Sequence, residues 1–564
     1  MLRLFDEYTK RNIKTLNGDW QFAADPENKG VTEGWFKSFP ENSRNIIVPG
    51  SWNTQFVDMF DYRGHGWLKR TFTCEECFLL LEFEAVSGQT DVWLDGEPLG
   101  SHYGGWTAFS FKKFVEAGEH TLVVCTEPNG NNLNTIPLAK KDWYNYGGIM
   151  RPVTATQLKT PFISDLQISY DLDLDKRRAD ICCEVEIENP FKGEYCTPIT
   201  LMFDGNKVAA EKLTVNEKGS VTLKASVKDL KLWDIGEGNL YDITVITDDD
   251  DRNERIGFRK IEAKNREIFL NGKSIFLHGV NRHEEHPDWG FAVPPQINNR
   301  DIDIIKELNC NSVRGSHYPN SHIFLDELDR QGILFWSEIP MWGFSAQCLA
   351  DPITNERAEV MITEMINQYR AHASIVIWGM HNEVNTSSPE GYEISKKLYA
   401  LMKKLDSSRL ITYASNQIEN DISFEFCDVI CINQYIGWYD GSLCEWKDFI
   451  KGLRVMAVEK GVGDKPIIMS EFGCGAIYGY NSFRNDHWTM SYQSEVLETV
   501  IKECIAEEGV CGTLIWQFTD IASRHGLNRA RGYNNKGLLD EYRRPKTSFF
   551  TVRKLYEEIK NNKK

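Results

Sequence analysis

Residues 375–383 read IVIWGMHNE, an apolar strand-like run over 375–379 (IVIWG) that leads into His381, Asn382 and Glu383. On either side lie residues 356–371 and 391–405, whose apolar positions recur at three- and four-residue steps, as in amphipathic helices. A buried strand between two such helices belongs to α/β architecture with parallel strands. Working outward, seven further runs have the same strand character: 275–280 (IFLHGV), 311–314 (NSVR), 334–339 (LFWSEI), 410–414 (LITYA), 429–433 (VICIN), 466–470 (PIIMS) and 512–517 (GTLIWQ). Eight strands over residues 264–564, most of them separated by helical patterns, predict a (β/α)8 TIM barrel. In that fold the chemistry is built at the C-terminal ends of the strands, so polar residues there read as functional first.

Upstream the texture is different. To about residue 160, β-rich runs alternate with Gly, Pro and Asn turns; 91–94 (DVWL) leads into Asp95-Gly96, and 120–125 (HTLVVC) ends at Pro128-Asn129-Gly130. Residues 1–160 therefore read as an N-terminal jelly-roll β-sandwich. Residues 161–263 carry a second set of alternating strands, 181–187 (ICCEVEI), 221–227 (VTLKASV) and 240–246 (LYDITVI), a pattern and length that suit an immunoglobulin-like β-sandwich.

Composition narrows the function. Asp and Glu number 82 against 64 Lys and Arg, a net charge of −18, which argues against a nucleic-acid partner, since that needs a basic footprint on phosphates. The first ten residues (MLRLFDEYTK) contain no apolar core, and no run of about 18 apolar residues follows, so a cytoplasmic protein without a membrane partner is expected. Fourteen cysteines are too few for a disulfide scaffold in a chain of 564 residues. Cys74 and Cys77 fall in an apolar strand-like stretch, Cys182 and Cys183 would face opposite sides of a strand, and Cys427 with Cys431 lacks further ligands. No metal site and no cofactor are expected.

The residues that follow the barrel strands are unusual in kind. They include Asn281-Arg282-His283-Glu284, Arg314-Gly315-Ser316-His317-Tyr318, His381-Asn382-Glu383, Asn433-Gln434-Tyr435, Glu471 and Trp516-Gln517, all converging on one rim. For a single Glu, an ion pair or a helix cap is the plainer account. Glu383 and Glu471 together, with His, Tyr and Trp able to line a sugar pocket, outweigh it, because acetal hydrolysis requires two carboxyls flanking the glycosidic bond.

Segments 279–286 (GVNRHEEH) and 311–319 (NSVRGSHYP), the His381-Asn382-Glu383 strand end and 470–473 (SEFG) resemble family two of the glycoside hydrolases. The resemblance covers nearly the whole chain, since that family also places a jelly roll and an immunoglobulin-like sandwich before its barrel. It implies Glu383 as acid/base, Glu471 as nucleophile, and retention of anomeric configuration. The acid/base must then hold its proton near neutral pH through burial and the neighbouring charge, while the nucleophile stays ionised among hydrogen-bond donors.

The sugar is suggested by residues 531–537 (RGYNNKG). Taken alone, Asn-Asn-Lys-Gly is a good turn. Placed just after the last strand, an Asn amide and a Lys ammonium with no carboxylate nearby suit an anionic sugar acid. This is similar to the Asn-x-Lys motif by which the β-glucuronidases of that family hold the glucuronate carboxylate, here Asn534 and Lys536. Residues 433–439 (NQYIGWY) resemble the segment in which an Asn and two Tyr approach the sugar, which implies Asn433, Tyr435 and Tyr439. Residues 142–149 (DWYNYGGI) resemble the stretch that sets an Asp on a sugar hydroxyl, here Asp142, with His283 proposed beside it; Asn382 and Trp516 complete the expected set. At the offset where the family uses an Arg stands Ala530, flanked by Arg529 and Arg531; Arg529 is taken as the contact and Arg531 stays open as the alternative.

The implied activity is exo-hydrolysis of small-molecule or glycan β-glucuronides by a homo-oligomer, commonly a tetramer. The loop after strand three is short, which predicts an open mouth that admits bulky or glycan-linked aglycones. Galactoside, mannoside or galacturonide hydrolysis and a non-catalytic carbohydrate-binding role are the alternatives. Galacturonate differs from glucuronate only in the O4 configuration that Asp142 is expected to read.

Overall fold

The structure, a computed structural model, describes residues 2–523 and 529–562. The first sandwich sets a four-stranded sheet against a six-stranded one over Asn12–Leu158. Its core is aromatic and aliphatic, with Trp20, Trp52, Leu68, Phe83 and Val124 fully enclosed. The second sandwich pairs a three-stranded and a four-stranded antiparallel sheet over Phe162–Ile256. Strand Arg178–Glu188 buries alternate residues, the period-two signature of a sheet with one face on the core. Cys183 accordingly lies in the core while Cys182 is half-buried on the other face.

A small sheet of Ile261–Lys264, Glu267–Leu270 and Lys273–Ile275 leads into a closed parallel barrel. Its strands are β1 (Leu277–Arg282), β2 (Ser312–Gly315), β3 (Leu334–Glu338), β4 (Ile375–Asn382), β5 (Leu410–Ser415), β6 (Ile430–Asn433), β7 (Ile467–Glu471) and β8 (Val510–Ile515). All eight overlap the runs read from the sequence. Most ends shift by one to three residues, and two of the shifts have a physical reason visible in the hydrogen bonding. β4 runs on to Asn382 because an irregularity between Gly379 and Asn382 lets the strand re-register on β5. β8 stops at Ile515 because the Trp516 amide donates instead to the Phe472 carbonyl of the neighbouring loop, at 3.0 Å.

The main barrel helices are α1 (Pro295–Glu307), α2 (His322–Gln331), α3 (Ala346–Ala350), α4 (Pro352–Tyr369), α5 (Pro389–Leu405), α6 (Trp446–Glu459), α7 (Met490–Ala506) and α8 (Thr547–Asn562). α4 begins four residues before its apolar period, because the Asp351 side chain accepts from the Ile353 amide and Pro352 fits the first helical position. The loop after β3 is short but not bare, since α3 sits within it. Among the described residues no helix is long and apolar enough to cross a membrane.

The jelly roll reaches the barrel rim through residues 142–151. Tyr144 donates its amide to the Ala522 carbonyl at 3.0 Å, the Tyr146 hydroxyl donates to Glu285 at 2.7 Å, and Arg151 pairs with Glu284 at 2.6 Å. These contacts carry Asp142 and Trp143 to the strand ends.

Candidate active site

At the C-terminal ends of the barrel strands lies a cavity of about 290 Å3. Of the residues expected from sequence, Asp142, Glu383, Asn433, Tyr435, Tyr439, Glu471, Trp516, Arg529 and Lys536 line it. Trp143, His317, Trp342, Asn416 and Gln434 complete the wall. A larger cavity of about 530 Å3, between the jelly roll and the residues leading into α1, contains neither of these two Glu.

Glu383 follows β4 with φ of +52°, in the left-handed region that a side-chain-bearing residue rarely adopts. Its amide donates to the Ala414 carbonyl at the end of β5, at 2.8 Å. Asn433 Nδ2 donates to Glu383 Oε1 at 2.8 Å. Burial, and then the charge of Glu471, push the Glu383 carboxyl up to about 7, against the opposing pull of Asn433 and Arg314. A carboxyl at that value carries a proton on about half the molecules at pH 7.

Glu471 closes β7 in a different environment. Arg314 donates to its Oε1 at 2.8 Å and the Tyr435 hydroxyl to its Oε2 at 2.7 Å. Arg314 is itself fully enclosed, with two hydrogen bonds to Glu338 at 2.9 and 3.0 Å and others to Asn281 and Asn382. His317 Nδ1 lies 2.7 Å from Glu338 Oε1, and burial and then the Arg314 charge bring its imidazolium down to about 3 and leave it neutral. One carboxyl thus faces a guanidinium and a phenol hydroxyl while burial and charge push its neighbour up toward neutrality, an arrangement that can cleave an acetal.

The far wall is cationic. Lys536 is only 3% exposed, and among the described residues its ammonium has one hydrogen-bond partner, the Tyr439 hydroxyl at 2.8 Å. It stands over the Tyr439 and Tyr435 rings at 4.9 and 5.4 Å. Asp142 accepts from Arg529 through both oxygens, from Ser523 at 2.9 Å and from Asn534 at 3.1 Å. Burial works against the charge of Asp142, yet Arg529, Lys536 and Ser523 hold its carboxyl below the ordinary range. The two arginines left open by the sequence separate here: Arg529 is on the cavity wall, whereas Arg531 turns away to Glu541 at 2.9 Å and Asn535 at 3.1 Å.

Three expected residues lie behind the wall. Asn534 is buried and meets the site through Asp142; its Oδ1 has no partner among the described residues. Asn382 accepts from Arg314 at 2.7 Å and Asn433 at 3.1 Å, and its Nδ2 is unpartnered among the described residues. His283 is enclosed by Trp143, His317 and Trp516, with ring centroids 5.5–5.7 Å away, and Nδ1 meets the Tyr318 hydroxyl at 3.2 Å.

Sequence reasoning quoted Arg314 and His317 as strand-end polar residues but gave them no role. The available signal was a charged residue inside β2, a strand enclosed on both faces. A buried group elsewhere, Asp326, Asp329 and His372, brings ligand atoms within 4.8 Å of one another. Its oxygens are engaged by Arg3, His372 and the Ser374 amide, so its charges are balanced by protein groups.

Three family profiles match consecutive parts of the chain: the sugar binding domain of glycosyl hydrolases family 2 at residues 13–161, a glycosyl hydrolases family 2 domain at 162–259, and the family 2 TIM barrel domain at 261–561. Among curated proteins, a β-glucuronidase of Paenibacillus borealis is 27% identical over 97% of each chain. Among solved structures, a family 2 β-galacturonidase from Eisenbergiella tayi bound to galacturonate is 30% identical, with a TM-score of 0.92 over 99% of each chain. A Ruminococcus gnavus β-glucuronidase in complex with D-glucaro-d-lactam is 27% identical, with a TM-score of 0.88 over 99% of each chain.

Proposed function

The chain belongs to glycosyl hydrolases family 2, and from that membership we propose that it is a retaining exo-β-glucuronidase, which releases glucuronate and an aglycone through a covalent glycosyl-enzyme. The observation that carries the sugar assignment is Lys536, a buried ammonium lining the same cavity as both carboxyls, with only a tyrosine hydroxyl for a hydrogen-bond partner among the described residues. An unpaired buried charge is costly, and a uronate carboxylate supplies its missing counter-ion. A neutral sugar does not.

In this mechanism Glu383 protonates the glycosidic oxygen while Glu471 attacks the anomeric carbon. Arg314 and Tyr435 hold the Glu471 carboxylate in place through one hydrogen bond to each of its oxygens. Once the ester forms, the charge of Glu471 is gone, the Glu383 carboxyl falls back toward its ordinary range, and it acts as base on the incoming water. Lys536 takes the sugar carboxylate, Asn534 supports it from behind the wall through Asp142, and Asp142, already set by Arg529, takes a ring hydroxyl. Turnover of a β-D-glucuronide with a poor leaving group, such as an alkyl glucuronide, lost in both Glu383→Gln and Glu471→Gln, tests the assignment; an NMR time course showing the α-anomer of glucuronate as first product would refute retention.

A second reading, β-galacturonide hydrolysis, is favoured by one observation: the E. tayi galacturonidase stands at 30% identity and a TM-score of 0.92. The two sugars share the C6 carboxylate and differ at C4, so Lys536 fits both. Initial rates on the matched pair of aryl uronides decide between them. Family membership also leads us to propose a homo-oligomer, measured by light scattering in solution.

A further inference from the structure

Resting on the reading of Lys536 as the holder of the sugar carboxylate, we propose that Lys546 and Asp520 are positioning residues for it: a buried ion pair that fixes the turn 534–537 and thereby sets selectivity for an anionic sugar. Neither side chain lines the cavity. Asp520 follows β8, and Lys546 immediately precedes α8.

The two side chains are 0% exposed and 2.7 Å apart. Lys546 has three protons to donate, and three acceptors take them: Asp520 Oδ1 at 2.7 Å, the Ala476 carbonyl at 2.7 Å and the Asn535 carbonyl at 3.1 Å. The same Asp520 oxygen accepts from the Gly537 amide at 2.9 Å. The pair therefore grips the backbone on both sides of Lys536. The Lys536 carbonyl is held separately, by the Gln517 amide at 3.0 Å and by Gln493 Nε2 at 3.3 Å, and Gln493 is in turn fixed by Ser548 of α8 at 2.7 Å. The approach at Gly537 is close: an added Cβ would stand 2.2 Å from the Asp520 amide nitrogen.

A fully buried ion pair is a poor stabiliser, since apolar residues of like volume often serve as well or better. Apolar residues could not bond to Asn535 and Gly537. The pair is thus better explained by what it positions. A lysine ammonium ends a flexible four-carbon stem, so its reach is set by where its Cα is held, and a misplacement of about 1 Å can cost roughly a hundred-fold in a positioned contact.

The test compares Lys546→Met and Asp520→Asn in the full chain, with Lys536→Ala as the benchmark. Substrates are an aryl β-D-glucuronide and its neutral methyl ester. Lys546→Met is expected to raise KM for the free acid roughly ten- to a hundred-fold, with a much smaller change for the ester, so that acid-over-ester selectivity falls toward that of Lys536→Ala. Asp520→Asn keeps an acceptor for Gly537 and shifts selectivity the same way by less; it is the variant to read if Lys546→Met does not fold. Equal losses on acid and ester, or a lower Tm with selectivity intact, overturn the inference while Lys536→Ala still shows its selective loss. If Lys536→Ala itself leaves selectivity unchanged, the carboxylate reading falls, and this inference with it.

Discussion

Glu383 and Glu471 are the same chemical group made different by their neighbours. Glu471 faces Arg314 and the Tyr435 hydroxyl, while Glu383 has a single amide donor and the charge of Glu471 beside it. With the Glu383 carboxyl near 7, kcat/KM is expected to decline as pH rises through that value, because the deprotonated form cannot protonate the leaving oxygen. A basic limb unmoved by Glu383→Asp would contradict this. Glu383→Gln should cost about 10²- to 10⁴-fold on poor leaving groups and much less on acidic phenols that need no proton; equal losses on both would assign Glu383 another role. A stability consequence follows from the same shift. From the ordinary 4.5 to about 7 the folded protein holds a proton that the unfolded chain releases, so stability is lost as pH rises across that window. Glu383→Gln should therefore raise Tm at pH 8 more than at pH 4.5, as differential scanning fluorimetry would show. At this scale the two carboxyls were legible because each ends an apolar run. The Arg314 and Glu338 support was not, since Arg314 and Glu338 lie on different strands and only the parallel pairing of β2 with β3 puts them in contact.

The elements that carry these residues are tied to one another by buried polar groups. Asp421 accepts from Thr386 of the loop after β4 at 2.6 Å, from Ser415 at the end of β5 at 2.6 Å, from the Tyr413 hydroxyl at 3.0 Å and from the Ser423 amide at 2.8 Å. It fastens the segment that follows Glu383 to the neighbouring strand. Replacing Asp421 with Ala leaves four donors without their acceptor, at roughly 1–3 kcal/mol for each that water does not reach. The expected result is a lower urea midpoint together with a fall in kcat larger than any rise in KM. An unchanged kcat would show that the loop after β4 holds itself. Strand and helix identities along the barrel were readable from apolar period. Their ends were less so, because caps such as Asp351-Pro352 and the re-registration of β4 on β5 depend on neighbours rather than period.

On the scale of the whole molecule, the N-terminal arm joins two domains. The Arg3 side chain, 3% exposed, reaches Asp326 of α2 at 2.9 Å and Glu254 of the second sandwich at 3.3 Å. Arg3→Ala leaves both carboxylates buried without it and is expected to cost about 3–5 kcal/mol of stability, lowering Tm while KM stays within error. A changed KM would mean that the arm communicates with the pocket. The sequence by itself determined the three-domain order, the eight strands and the two carboxyls, because each is written in local periodicity and in motifs that need no distant partner. It left open the choice between Arg529 and Arg531 and gave no sign of the Lys546–Asp520 pair beneath the lysine turn. Those were decided only by the tertiary structure, where groups far apart in the chain supply one another with counter-charge and hydrogen bonds in places that water does not reach.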